Sequence, residues 1–138
     1  MLRVVFVVCF LLLPASLFSG EIKRLCIKDT CLAIEVVTSG QARQKGLMFR
    51  NELKPGKGML FIFEDEAFHN FWMKNMSFPL DFIWVNKEKV IVDLTTNVKP
   101  CGSSCPNFTS REKFLYVLEV NSGFVEKHKI KIGEKLVF

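Results

Sequence analysis

The stretch GMLFIFEDEAFHNFWMKNMSFPLDFIWV, residues 58–85, carries both tryptophans of the chain and much of its phenylalanine. Its polar residues are isolated: His69, Asn70, Lys74, Asn75 and Asp81 stand among Phe, Trp, Met, Leu and Ile. Apolar surface this dense has to be buried, and polar groups buried with it have to be paired. Met59–Phe63 is a continuous apolar run, too short for a helix and suited to a strand buried on both faces. Glu64-Asp65-Glu66 reads as a return to solvent, and Phe68–Met73 as a second strand. Pro79 has no N–H for a central ladder, so Asn75–Pro79 reads as a connection. Leu80–Val85 then pairs with Lys89–Thr95 around Asn86-Lys87-Glu88, the second arm alternating Val90, Val92 and Leu94 with polar residues.

Outward from this centre, Ile22–Lys28 and Leu32–Val37 read as arms of a hairpin. Thr38-Ser39-Gly40-Gln41 has the form of a capping box, with Thr38 as N-cap, opening a short helix to Lys45 that Gly46 ends. Val98–Lys113 is a long polar loop with two cysteines and two prolines. Phe114–Val120 is a strongly apolar strand, Gly123–Lys129 a helical excursion, and Ile132–Phe138 a closing strand. About eight short strands with one or two short helices give a mainly β chain, a sandwich or partly closed barrel. Residues 21–138 are expected to form one such domain.

Residues 1–20 belong to something else. Met1-Leu2-Arg3 is basic, Val4–Leu13 is wholly apolar, and Pro14 to Gly20 supply small and breaking residues, the pattern of a secretory signal. The apolar run falls short of the roughly 20 residues that span a bilayer. An uncleaved anchor remains the alternative, because Leu17 and Phe18 are bulky for a cleavage site. Past Gly20 the chain keeps 18 basic and 14 acidic side chains, dispersed and without a basic run, which argues against nucleic-acid binding.

Four of the five cysteines lie beyond the apolar start, as two close pairs: Cys26 with Cys31 and Cys101 with Cys105. Four cysteines allow three connectivities. A turn at Lys28-Asp29 would set Cys26 across from Cys31 within reach of a disulfide, and an oxidising compartment favours both short bridges. A zinc site built from all four, or a redox pair, would prefer the C-x-x-C spacing that neither pair has. The chain is therefore expected to be secreted or periplasmic, with a possible membrane tether through residues 1–20.

Four motifs in this order, GLMFR (46–50), GMLFIF (58–63), FWMKNMSFPLDFIWV (71–85) and YVLEVNSG (116–123), resemble the family called domain of unknown function 192. The resemblance covers about residues 31–138. It implies a compact, mainly β fold, often exported or membrane-tethered, and no established activity. Ser122 stands where that pattern has Ala, Glu134 where it has Asp, and the helix opening lacks an acidic pair.

Two carboxylates sit on otherwise apolar strands. By strand parity Asp81 points with Ile83 and Val85, and Glu119 with Leu115 and Val117. Each needs a partner or a pocket, and Arg50 and Lys74 are the cations within the same motifs. The bland outcome is a buried ion pair, Arg50 with Asp81 or Glu119. The functional one is a shared cleft lined by Arg50, Trp72, Asn75, Asp81 and Glu119, in which Arg50 fixes an anionic group, Trp72 stacks, and Asn75 and Asp81 hydrogen-bond a small polar or glycan-like ligand in the cell envelope. One rival is a carboxylate-dependent hydrolase using Asp81 and Glu119. Another is copper(I) binding through Met73, Met76 and His69, near Met48 and Met59. A purely structural envelope protein is the last. There is no G-x-S-x-G and no phosphate-binding glycine loop, no cofactor is expected, and the chain is read as a monomer.

Overall fold

A computed structural model describes residues 22–138; the reading of residues 1–20 as a signal or anchor lies outside them. Seven strands and two helices are present among the described residues: β1 (Ile22–Ile27), β2 (Thr30–Val37), α1 (Gly40–Lys45), β3 (Lys57–Ala67), β4 (Leu80–Val85), β5 (Ile91–Val98), β6 (Phe114–Asn121), α2 (Phe124–Lys127) and β7 (Leu136–Val137). The strands form one sheet in the order β5-β4-β6-β3-β2-β1-β7. Only β2 and β3 run parallel, and the crossover between them carries α1.

The sheet curls until its two ends meet. Ile91 N donates to Glu134 O (2.8 Å), Gly133 N to Ile91 O (2.8 Å) and Leu136 N to Lys89 O (2.9 Å), joining the segment before β7 to the start of β5. This is the partly closed barrel expected from the strand pattern, with seven strands in place of about eight. Phe68–Met73 is not a strand. Phe71 and Met73 are buried and Asn70, Trp72 and Lys74 exposed, so the alternation is real. Only Phe71 finds a ladder partner, exchanging both backbone hydrogen bonds with Phe108 at 2.8 Å. The acidic run 64–66 does not end β3, which continues to Ala67 with Glu64 and Asp65 exposed. The helix N-cap is Ser39, not Thr38: its hydroxyl accepts from Ala42 N at 3.2 Å while its backbone stays extended.

Both faces of the sheet are buried, which explains why β4 is apolar at nearly every position. The inner face packs Leu25, Ile34, Leu60, Ile83, Leu118 and Val120 with Val125 and Ile130. The outer face packs Met59, Phe61, Phe82, Trp84 and Val117 beneath Leu47, Phe71 and Met73 from the covering segments. Register decides which face each carboxylate takes. Asp81 pairs with Val120 and points inward, whereas Glu119 pairs with Phe82 and Met59 and points outward.

The cysteines pair as expected. Cys26 and Cys31 are directly opposed across the first hairpin, with Cα atoms 4.0 Å apart, and Cys101–Cys105 closes the long loop at 5.2 Å. Each short loop contributes about 2 kcal/mol on the chain-entropy estimate.

Asp81, fully buried, is held by two backbone amides: Asn97 N at 2.8 Å and Val125 N at 3.0 Å. It ties the end of β5 and the start of α2 to β4. Asp81→Ala would leave two interior N–H groups without an acceptor and is expected to cost about 2–5 kcal/mol, with Asp81→Asn costing less because one oxygen acceptor remains. Urea midpoints at unchanged m-value check the order.

Candidate functional site

The outer face carries a pocket of about 400 Å³. Its floor is made by β3 and β6, through Phe61, Phe63 and Glu119, and its walls by the end of α1, by Gly46–Met48 and by Asn70–Met73. Two backbone features shape it. Gly46 closes α1 at a positive φ of 48°, and a Cβ there would stand 3.1 Å from the Phe61 ring. Asn75, also at positive φ, accepts from Phe49 N at 2.9 Å and so pins the turn after α1 to the 70–76 segment.

Glu119 is the chemical centre of this space. It is 5% exposed, lines the pocket, and has no hydrogen-bond or ion-pair partner among the described residues. Burial alone pushes its carboxyl up to about 8. The other two buried acids are satisfied. Asp81 takes two amides on the inner face, and Asp93 takes both the guanidinium of Arg111 (2.7 Å) and its backbone N–H (2.8 Å).

The five residues expected to share one cleft separate. Trp72 and Glu119 line the pocket, with Trp72 42% exposed and so presenting its ring to solvent. Asp81 lies across the sheet, because residues 81 and 119 fall on opposite sides of the pleat once β4 and β6 are in register. The expected pairing of Arg50 with Asp81 or Glu119 is corrected too. Arg50 makes a bidentate pair with Glu35, at 2.6 and 2.7 Å, which raises the guanidinium and lowers the Glu35 carboxyl. Glu35 stands in the same cross-strand row as Met59 and Glu119, two strands away, so Arg50 was drawn to the outer face but to its more exposed acid. Asn75 does not line the pocket; its amide reaches Met48 Sδ at 3.9 Å. An acid/base pair of Asp81 and Glu119 cannot flank one bond through a two-sided sheet.

Of the methionines, Met48, Met73 and Met76 line the pocket, and Met59 is buried beside Glu119 in the row. His69 does not line it. Its ring stacks on Phe63 with centroids 3.8 Å apart, and its Nε2 is buried without a partner. Among the described residues no cluster of three or more His, Cys, Asp or Glu could hold a metal. The structure adds lining residues that no motif marked: Arg43, Asn70 and Asn107. Nothing in the sequence spacing brings Asn107 to Asn70; the Phe71–Phe108 bridge does.

The family model for domain of unknown function 192, described as an uncharacterized ACR, matches residues 23–138. A UPF0127 protein of Pyrococcus abyssi (strain GE5 / Orsay) is 29% identical over 108 residues, covering 75% of this chain and 83% of that one. A crystal structure from Novosphingobium aromaticivorans DSM 12444, of unknown function, superposes with a TM-score of 0.79 at 29% identity, covering 85% of each chain. A Sinorhizobium meliloti 1021 protein, provisionally described as a transcription regulator, does so at 0.74 and 32% identity over 83% of this chain and 89% of that one.

Glu119 sets a pH dependence whose sign is opposite to that of Glu35. A carboxyl raised in the folded state holds its proton where the unfolded chain has lost it. Stability is therefore highest below the unfolded value near 4.5 and falls as pH rises towards about 8. Glu119→Gln is expected to remove this slope, about 1.4 kcal/mol per pH unit across the window. The difference in urea stability between the two proteins, measured from pH 5 to 8, reads it directly.

Proposed function

This chain belongs to the domain of unknown function 192 family, and we propose that it is an exported binding protein of the cell envelope whose small ligand occupies the pocket floored by Glu119. The observation that carries this reading is a buried carboxyl opening into a hollow with no partner among the described residues. An isolated polar group in an apolar surround weakens the fold unless something else satisfies it. A hollow of about 400 Å³ is the size of ordinary small-molecule sites, which combine apolar walls with a few placed polar groups. Trp72 offers a face on which a ring or a sugar can stack, and the exposed amides of Asn70 and Asn107 offer hydrogen bonds at the mouth. The polar and glycan-like ligand proposed from the sequence keeps Trp72 and Glu119, and loses Arg50, Asn75 and Asp81 as partners. Export is supported by the two disulfides and by the reading of residues 1–20 as a signal. The Sinorhizobium meliloti protein's description is not carried over, because the basic residues here are dispersed.

A fragment screen followed by amide and indole chemical shifts tests the pocket. Hits are expected to move the Trp72 indole and the amides of residues 46–48 and 70–73, and to weaken at least about tenfold in Trp72→Ala, while Arg50→Ala leaves them unchanged. Hits confined to other surfaces, or none, would remove the ligand reading.

A second reading rests on a separate observation: three thioethers, Met48, Met73 and Met76, converge on the same hollow. Thioether sulfur selects copper(I), and this set replaces the Met73, Met76 and His69 trio drawn from the sequence. Competition against a copper(I) chelator is expected to give one tight site, lost in Met73→Leu with Met76→Leu. A wild type that never competes would leave the methionines as core filler.

A further inference from the structure

We propose that the ligand of this pocket carries a cationic amine at the end of an aromatic or apolar body, the amine seated on Glu119 and the body among Phe61, Phe71 and Trp72. The proposal rests on the pocket reading above and names its ligand class. Four features point the same way. Glu119 is the one buried acid among the described residues left without a partner, and it faces a hollow that a ligand can enter. A carboxyl that is un-ionised only because it is dry regains its charge when a cation replaces the missing solvent, so an ammonium gains a charge-assisted hydrogen bond that a neutral group cannot match.

The walls suit the same charge. Phe61 and Phe71 meet edge to face at 5.2 Å, and Trp72 also lines the pocket, partly exposed. Aromatic faces attract cations, and the sulfurs of Met48, Met73 and Met76 are soft and polarizable. The protein already uses one such contact at this site: the Arg43 guanidinium lies 4.9 Å over the Phe63 ring.

The surrounding charges leave the seat to a ligand. In the segment after α1, Arg50 is committed to Glu35 of β2. On α1, Arg43 donates to the carbonyls of Thr38 and Ile62 and covers Phe63. Lys45 also lines the pocket, but it is exposed, where salt and water screen it. On the covering segment, His69 is stacked against Phe63 and is not part of the lining. An anionic ligand would find only the carboxyl's own proton as a donor and would oppose the ionisation of Glu119 that an ammonium promotes.

Calorimetry at pH 7 with three indole probes of one shape separates the classes: tryptamine, its alcohol tryptophol, and indole-3-acetate. Tryptamine is expected to bind at least about tenfold more tightly than tryptophol, the margin of one charge-assisted hydrogen bond, with indole-3-acetate weakest. Its binding is expected to release a proton from Glu119, seen as a heat that varies with the buffer's ionisation enthalpy. In Glu119→Gln the advantage of the amine and the proton release both vanish, while Arg50→Ala keeps them. Tryptophol binding as tightly as tryptamine, or indole-3-acetate binding most tightly, overturns the amine class and leaves the pocket reading standing. Silence from all three overturns the amine class as well. If the fragment screen also finds nothing at residues 46–48 and 70–73, the pocket reading falls with it.

Discussion

A sheet packed on both faces leaves no solvated place for a charge, and Glu119 occupies one of those faces with nothing among the described residues to neutralise it. Everything around the pocket follows from that conflict. The two other buried acids show how the fold normally resolves it, Asp81 with a pair of amides and Asp93 with an arginine. Glu119 has neither, so its proton stays on to about 8, and its carboxyl opens into the hollow instead of into packed side chains. A leucine at that position would satisfy the apolar pattern of β6 at no electrostatic cost. Where a local rule is broken without compensation from the fold itself, a functional reason is the physical expectation.

The covering layer makes the hollow possible. Strands β3 and β6 supply a largely aromatic floor, and among the described residues no strand or long helix lies over it. Its roof is assembled from α1, the turn at Gly46 and the 70–76 segment, joined by the hydrogen bond from Phe49 to Asn75. The loop that brings Asn107 to the mouth is held at one end by Cys101–Cys105 and at the other by the Phe71–Phe108 bridge. Irregular backbone of this kind forms walls that are stiff where they are stapled and open where they are not.

Much of the fold was legible in the residues. Apolar runs gave β3, β4 and β6, the cysteine spacing gave both staples, and parity placed Asp81 and Glu119 correctly relative to their own strands. The Phe68–Met73 strand failed because alternation reports burial, and burial does not require a ladder. Of the candidate pocket's lining, Trp72 and Glu119 were singled out from chemistry alone, since an acid on an apolar strand and a tryptophan in a polar-poor segment both demand explanation. The shared cleft was not, because parity says which residues of one strand go together but not how two strands are registered. Moving β6 by one residue against β4 would have put both acids on one face. The preference of Arg50 for Glu35 over Glu119 is likewise a matter of tertiary distance. Arg43, Asn70 and Asn107 reach the pocket through covering segments whose course no local pattern records.

The state of the Glu119 carboxyl is the point on which the pocket, its ligand class and its pH dependence all turn. It is measured most directly by following the side-chain carboxyl carbon of Glu119 in a labelled, ligand-free sample across pH 4 to 10. A midpoint near 8, well separated from the other glutamates, is the expected result. A midpoint near the ordinary 4.5 would mean that the group is solvated or paired, and the account of a buried, unpartnered carboxyl facing the pocket would be contradicted.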